Sequence, residues 1–167
     1  MSEFGIHAAP NIETLREVIP ADQWFHRSPA MEHHNKYQPR DKVDSFLAPI
    51  TGVPNSVEEY VDFSQAAQAE GMKVAIEHYR RRKSHCSGTL LWQLADCWPG
   101  ASWSLIDYFG RPKAAYRAVR RAYAPVLASF KPLPGGGTEL WVTNDTLADV
   151  EDVARVTLRT ARGEVLR

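Results

Sequence analysis

Apolar residues recur at helical spacing over much of the chain before residue 130, which predicts mainly helical structure there. Short helices are expected over residues 11–19 and 41–48, and a long helix over residues 56–82. A further helix is predicted over residues 112–130, although Pro125 should bend or end its regular part, because proline removes a backbone donor.

The long helix begins at a recognisable sequence signal. Ser56 stands three residues before Glu59, which is the spacing of a capping box that satisfies backbone N–H groups at a helix start. Gly71 lies near the middle of this helix. Glycine weakens a helix by about 1 kcal/mol relative to alanine, so a local kink is expected there.

Strand signals occupy three shorter segments. Residues 88–94 form a near-continuous apolar run, which is typical of a parallel strand buried on both faces. Residues 139–144 and 153–159 alternate apolar with polar side chains, which is the period of half-buried antiparallel strands. Residues 131–137 are rich in proline and glycine, so they are predicted to be a linker.

Composition and charge argue against several classes of protein. The 167 residues carry 20 basic and 20 acidic side chains, so nothing in the net charge favours binding to nucleic acid or to an anionic membrane. No apolar stretch approaches the ~20 residues of a membrane span, and the first residues lack a signal-peptide pattern. The compartment stays open, with the cytoplasm favoured. Cys86 and Cys97 do not have metal-ligand spacing and are expected to be free thiols.

The most informative segment follows the apolar run and is dense in tryptophan and aspartate. It contains Trp92, Gln93 and Asp96, and it continues through Trp98 to Trp103. Indole faces stack on the apolar C–H faces of sugar rings, while carboxylates and amides bond sugar hydroxyls. This combination predicts sugar binding, with core packing as the alternative for each tryptophan.

The segment closely resembles a motif of the β-mannosidases of glycoside hydrolase family 2. That family carries Trp-Gln-Leu-Asn-Asp-x-Trp, a Ser-Trp pair and an Asp-Tyr-x-Gly-Arg-x-Lys tail, which correspond to residues 92–98, 102–103 and 107–113 here. One position departs, since Ala95 replaces the usual asparagine. A second match lies at residues 2–5, where Ser-Glu-Phe-Gly resembles the family's signature around its catalytic nucleophile.

The resemblance implies an α/β fold made of the last two strands and helices of a (β/α)8 TIM barrel, followed by an incomplete Ig-like β-sandwich. Residues 1–130 would belong to the barrel, residues 131–137 to the linker and residues 138–167 to the start of the sandwich. Because a complete barrel takes ~250 residues, the N-terminal part of the same polypeptide is expected to be missing from this chain.

The resemblance also implies which residues act. Glu3 would be the nucleophile of a retaining exo-β-mannosidase that removes terminal β-D-mannose, and Trp92 would line the floor of its sugar site. Gln93 and Asp96 would bond sugar hydroxyls, or would pin the loop by bonding backbone amides. His34 lies in a proline-rich loop expected on the catalytic face, where it would line the pocket or play a structural part.

The second catalytic carboxyl group is expected to lie outside this chain. In the family it is the Glu of an Asn-Glu pair, and that dipeptide does not occur in the sequence. No turnover is therefore expected from the chain alone. Neither a metal nor a cofactor is implied, because this type of hydrolysis requires none. Trp98 and Trp103 are expected to pack and fix the loop.

Two alternatives remain open at the level of sequence. Within the family, an exo-β-glucosaminidase, a β-galactosidase or a β-glucuronidase would differ at residues that read the 2-position of the sugar. Outside the family, a non-catalytic carbohydrate-binding module would stack sugars without hydrolysing them. Such a module would fold as an independent unit and would bind oligosaccharides measurably.

Overall fold

The computed structural model describes residues 3–37 and 41–166 of the chain. These residues form two compact units, of which the first ends at Ala124 and the second begins at Pro125. The first unit is mainly helical, and the second contains a two-stranded sheet. In the described part of the chain, no helix is both long enough and apolar enough to cross a membrane.

The helices of the first unit agree in position with most of the predicted ones. They are α1 (Ile12–Val18), α2 (Pro29–His33), α3 (Asp41–Leu47), α4 (Val57–Arg81) and α5 (Ala114–Ala122), with a 3-10 turn at Ala21–Gln23. Helix α2 was not expected from periodicity. Ser28 caps it by accepting a hydrogen bond from the backbone N of Met31 at 3.2 Å, and proline occupies its first position, where the missing N–H costs nothing.

Helix α4 starts as predicted and continues through its glycine. Ser56 Oγ accepts a hydrogen bond from the backbone N of Glu59 at 3.1 Å, whereas the Glu59 carboxylate reaches one residue further back, to the N of Asn55 at 2.8 Å. Gly71 has a packing role, because a Cβ there would lie only 2.2 Å from Cδ1 of Ile6. The glycine therefore lets the first segment of the chain approach the helix closely.

Helix α4 packs against two apolar clusters in the first unit. The first cluster joins it to α1, α2 and α3 and contains Ala9, Leu15, Ile19, Met31, Val43, Leu47, Val57, Tyr60, Val61, Ala67 and Ala101. The second cluster joins it to α5 and contains Met72, Ile76, Leu105, Ala115, Val119 and Ala122. From α4 the first cluster takes Val57, Tyr60, Val61 and Ala67 and the second takes Met72 and Ile76, whereas Val74 remains 51% exposed.

The predicted buried strand over residues 88–94 is wrong in its extent and burial. Within it, Leu91 makes a single parallel bridge with Phe4, and Leu90 and Leu94 remain 66% and 60% exposed. The physical reason is that other residues cover only one face of this segment. Leu91 packs against the second cluster, and the neighbouring side chains point away from it, as alternation in an extended segment requires.

The end of the last helix and the linker also differ from prediction. Helix α5 ends at Ala122, and strand β1 (Val126–Pro132) follows Pro125, which cannot continue a helix. Strand β1 pairs antiparallel with β2 (Thr138–Asn144) in the second unit. Most of the expected linker is thus the turn of a hairpin, and the sequence supplies the three glycines that this turn needs, since their φ angles are 88°, 103° and 87°.

The last predicted strand is absent from the described residues. Over residues 153–159 the backbone makes only the isolated bridge between Arg159 and Val165, and Val153 and Leu158 are 87% and 59% exposed. An alternating segment forms a strand only where a neighbouring strand pairs with it and one face is covered. The second unit therefore consists of one regular hairpin and an extended, exposed continuation.

Candidate functional site

The two segments that carry the predicted sugar-site residues lie side by side. Phe4 donates its backbone N–H to the O of Leu90 at 3.1 Å, and Trp92 donates its backbone N–H to the O of Phe4 at 2.8 Å. These bonds form a parallel bridge between Phe4 and Leu91. In a parallel pair the two segments run in the same direction, so their C-terminal ends lie side by side. The chain thus brings Glu3 and Trp92 to adjacent positions, although they are distant in sequence.

Alternation of side chains puts Glu3 and Trp92 on the same side of this pair. Phe4 and Leu91 both pack against the second apolar cluster, beneath α4 and α5. Their sequence neighbours must point the other way in extended backbone. In agreement, Glu3 is exposed and Trp92 is 48% exposed. Ser2, the first residue of the Ser-Glu-Phe-Gly match, lies outside the described residues.

Gly5 is required by the close approach of the two segments. A Cβ at this position would lie 1.9 Å from the backbone O of Trp92 and 3.2 Å from Cβ of Trp103. No side chain can be placed there without moving the backbone that carries the indole of Trp92. The sequence match included Gly5, but only the structure supplies its physical reason.

Asp96 is the centre of a buried polar network in the tryptophan segment. Its side chain is fully buried and accepts hydrogen bonds from Nζ of Lys36 at 2.6 Å, from Nε2 of Gln93 at 3.3 Å and from Oγ of Ser102 at 2.5 Å. Ser104 Oγ donates a further bond to the same carboxylate. Of the two roles left open for Asp96, this geometry favours holding the loop over direct contact with a sugar.

The buried side chain of Lys113 links the segment of Ala8 to the tryptophan segment. Lys113 is 1% exposed, and its Nζ donates to the O of Ala8 at 3.1 Å and to the O of Ser102 at 3.4 Å. Burial lowers the pKa of Lys113 to about 8, against the opposing influence of the nearby carboxylates of Asp96 and Asp107. Lys113 ends the Asp-Tyr-x-Gly-Arg-x-Lys tail, which sequence analysis used as a signature without assigning it a role.

Asp107, the first residue of that tail, closes a tight turn. Asp107 Oδ1 accepts from the backbone N of Phe109 and of Arg111, at 3.1 and 3.0 Å. Its Oδ2 accepts from Thr14 Oγ1 at 2.6 Å and from Asn11 Nδ2 at 3.0 Å. Burial favours a higher pKa for Asp107, but these hydrogen bonds outweigh it and hold the pKa below its usual value. The turn is thereby fastened to helix α1.

His34 contacts the tryptophan segment at residues that follow the predicted sugar-binding ones. Its Nδ1 lies 2.5 Å from the O of Pro99, and its ring stacks on Trp98 with the centroids 5.5 Å apart. In the described part of the chain, it has no hydrogen bond or ring contact with Glu3, Trp92, Gln93 or Asp96. His34 is therefore joined to the tryptophan segment through Trp98 and Pro99.

His7 was not predicted as a site residue and lies next to Trp103. It is 8% exposed, and its ring contacts Tyr37 and Trp103 with centroid separations of 5.5 and 5.6 Å. Burial lowers the pKa of His7 to about 4, and the positive charge of Lys113 acts in the same direction. The imidazole is therefore neutral at physiological pH.

Solved structures identify the class of protein to which this fold belongs. The crystal structure of β-D-mannosidase from Dictyoglomus thermophilum matches with a TM-score of 0.80 and 36% identity, over 88% of this chain and 18% of that one. Exo-chitosanase CsxA of Amycolatopsis orientalis matches with a TM-score of 0.66 over 77% of this chain and 16% of its own, but at 18% identity that likeness concerns the fold alone. The chain is thus an α/β piece of a glycoside hydrolase fold.

Sequence relatives narrow the class further. Beta-mannosidase B of Emericella nidulans is 33% identical over 95% of this chain, and Beta-mannosidase B of Aspergillus niger is 37% identical over 78%. The chain belongs to the β-mannosidases of glycoside hydrolase family 2. It spans 20% and 16% of the length of these two relatives. No protein-family model matches it.

Proposed function

We propose that this chain supplies the nucleophile and the sugar-stacking floor of a retaining exo-β-mannosidase. Glu3 is the nucleophile, and Trp92 is the floor on which the mannose ring lies. The parallel pairing of Phe4 with Leu91 carries the proposal, since it supports a common face for these two side chains. The two sequence relatives and the Dictyoglomus thermophilum structure are all named as β-mannosidases, which supports mannose as the sugar.

The reaction follows from the chemistry of a retaining glycosidase. The Glu3 carboxylate attacks the anomeric carbon while the bond to the leaving oxygen breaks, and a second carboxyl group, about 5 to 5.5 Å away, gives that oxygen a proton. Water then attacks the glycosyl-enzyme and loses its proton to the same second group, which releases Glu3. We assign the second group to the part of the relatives that has no counterpart in this chain.

The remaining predicted residues act at different distances from the sugar. Gln93 is held by its bond to Asp96 and by its backbone N–H, which donates to the O of Trp103 at 3.2 Å. It is our candidate for bonding a mannose hydroxyl. Asp96 positions Gln93 and Lys36, and His34 supports the outer rim of the site by stacking on Trp98. Residues 1–124 would then form the barrel portion and residues 125–167 the start of the sandwich.

A hybrid enzyme tests the proposal. The segment of the Dictyoglomus thermophilum β-mannosidase that matches this chain is replaced by the chain itself, and hydrolysis of an aryl β-mannoside is measured. We expect activity in the hybrid, none in the isolated chain, and a loss of roughly 10³-fold or more in the hybrid with Glu3→Gln, the scale of removing a covalent nucleophile.

The controls separate chemistry from folding. Glu151→Gln changes an exposed carboxyl in the second unit and should leave the rate unchanged. An aryl β-glucosaminide should be hydrolysed more slowly than the mannoside. A folded hybrid whose rate does not depend on Glu3 would refute the assignment, and a clear rate from the isolated chain would refute the assignment of the second carboxyl to the absent part.

A further inference from the structure

Lys113 is a buried charged residue that the function proposed above does not use. Its side chain lies in the interior of the first unit, where its Nζ donates to the O of Ala8 at 3.1 Å and to the O of Ser102 at 3.4 Å. Ala8 belongs to the segment that carries Glu3, and Ser102 belongs to the tryptophan segment. Lys113 therefore contacts the backbone of both segments that supply the proposed site.

The two carbonyl groups do not depend on the ammonium group for a partner. The O of Ala8 also accepts the backbone N–H of Ser102 at 3.0 Å, and the O of Ser102 accepts the backbone N–H of Ala8 at 2.9 Å. A neutral amine at Lys113 would still have two N–H donors for the same carbonyl groups. These hydrogen bonds therefore do not require the positive charge of Lys113.

The positive charge of Lys113 costs stability. Burial lowers the pKa of Lys113 from 10.5 to about 8, against the attraction of the carboxylates of Asp96 and Asp107, and the cation of Lys36 adds to the lowering. The native state therefore holds this proton less tightly than the unfolded chain does. A charge that is buried at such a cost beside a proposed catalytic site is a candidate for a role in the reaction.

The groups that face Lys113 leave Asp96 as its counterion within the described residues. Of the two carboxylates that attract it, that of Asp107 is engaged by the turn at residues 107–111, whereas that of Asp96 is fully buried. Of the two basic groups, Lys36 bonds Asp96 directly at 2.6 Å, and His7 is neutral. Asp96 is thus served by one cation in contact and by a second cation at longer range.

We infer that Lys113 is a positioning residue for the reaction: its buried positive charge holds the carboxylate of Asp96 in place, and with it the segment that carries Trp92 and Gln93. The inference rests on the proposed function and adds a residue to it. Because Asp96 accepts a hydrogen bond from Gln93, a displaced carboxylate would shift the groups that contact the sugar. Loss of the proton from Lys113 would weaken this hold, so the reaction should slow as the pH rises through about 8.

Lys113→Met in the hybrid enzyme tests the inference, because methionine is an unbranched side chain without charge. The substrate is 2,4-dinitrophenyl β-D-mannopyranoside, whose leaving group departs without a proton. Its kcat/KM therefore reports the attack of Glu3 without the pH dependence of a general acid. At neutral pH we expect kcat/KM to fall about 10- to 100-fold, the scale on which displaced positioning groups slow a reaction. The melting temperature should stay unchanged or rise.

The pH profile separates positioning from structural support. In the unmodified hybrid, kcat/KM should fall as the pH rises through about 8, whereas in Lys113→Met it should be low and should not change in this range. The stability of the unmodified hybrid relative to Lys113→Met should rise between about pH 8 and pH 10.5, because the unfolded chain then binds more protons than the native state. Lys113→Arg keeps a charge that does not titrate there and should retain kcat/KM above about pH 8.

Lys73→Met is the matched control, because Lys73 lies on α4 with its side chain 44% exposed. It should change neither kcat/KM nor the pH profile. The inference is wrong if Lys113→Met keeps the rate of the unmodified hybrid, if it melts lower or fails to fold, or if it keeps the alkaline loss of activity. Each of these results leaves the dependence of the unmodified hybrid on Glu3 intact, so the proposed function would stand. A hybrid whose rate does not depend on Glu3 would refute both.

Discussion

Acid should destabilise the first unit through His7. The neutral imidazole is buried beside Lys113, and its pKa falls from 6.5 to about 4. In the unfolded chain the ring regains its ordinary pKa. Between about pH 6.5 and pH 4 the unfolded state is therefore protonated at His7, whereas the native state is not. Stability is therefore unaffected by His7 above about pH 6.5, and it falls as the pH drops from there to about 4.

The size of this effect follows from the displacement of the pKa. A change from 6.5 to about 4, at ~1.4 kcal/mol for each tenfold change in proton affinity, amounts to about 3 kcal/mol. His7→Gln keeps a polar side chain of similar size but cannot take up a proton in this range. The variant should therefore lose about 3 kcal/mol less than the unmodified chain between about pH 7.5 and pH 4.

Urea unfolding at several pH values measures the difference. Tryptophan fluorescence reports mainly on the first unit, which contains Trp24, Trp92, Trp98 and Trp103, and Trp141→Phe removes the signal of the second unit. His85→Gln is the matched control, because His85 is exposed in a turn. The argument fails if His7→Gln and the unmodified chain lose equal stability on acidification, or if the His7 ring titrates near pH 6.5 by nuclear magnetic resonance.

Three further substitutions test the packing and polar contacts around the site. Asp96→Asn should cost about 3 kcal/mol in urea unfolding, because it leaves Lys36 without its buried anion. The exposed Asp62→Asn serves as control, and an equal loss of stability in both variants would contradict the role of Asp96 in the polar network. Gly5→Ala should cost about 2 kcal/mol, since the added Cβ collides with the backbone O of Trp92. Gly88→Ala should be tolerated, because a Cβ there meets nothing within 4 Å. If Gly5→Ala left the stability unchanged, the segments that carry Gly5 and Trp92 would be further apart than described. Arg80→Met should cost about 2 kcal/mol, because Arg80 Nη1 donates to the O of Ala122 at 2.5 Å and to the O of Ala124 at 2.7 Å, at the C-terminal end of α5. Thermal melting beside the exposed Arg120→Met checks this, and the contacts contribute little if the two variants melt alike.

Helices were predictable here because their signals are local. The Ser56 cap and the helical spacing of apolar residues in α4 lie within one continuous segment, and the structure reproduces the cap and the bounds of the helix to within one residue. Alternation also predicted the strand over residues 139–144, which the structure confirms as β2, but the other two strand predictions failed. Whether residues 88–94 form a buried strand depends on what covers each face, and alternation over residues 153–159 says nothing about whether a pairing partner exists. The end of α5 was readable from Pro125, but the β1 strand beyond it depends on pairing with β2.

Family resemblance supplied candidate residues for the site, but it did not supply the contacts between them. Family resemblance put Glu3 and Trp92 together, and the parallel bridge between their segments agrees with that expectation. The partners of Asp96 come from three separate places, Lys36, Gln93 and the serines at 102 and 104, and no sequence spacing identifies them. His7 was not predicted, and Lys113 entered only as the last residue of a motif, because a single histidine or lysine gives no sign of its role until its burial is known.

The anchoring of Asp96 has a practical consequence for its neighbour. Cys97 is exposed, whereas the adjacent carboxylate is held by four donors in the interior. A spectroscopic probe attached to this thiol, with Cys86 replaced by serine, would sit on the solvent side of a firmly fixed backbone. It would signal any displacement of the tryptophan loop when a saccharide arrives, and it would do so without occupying the surface on which the saccharide rests.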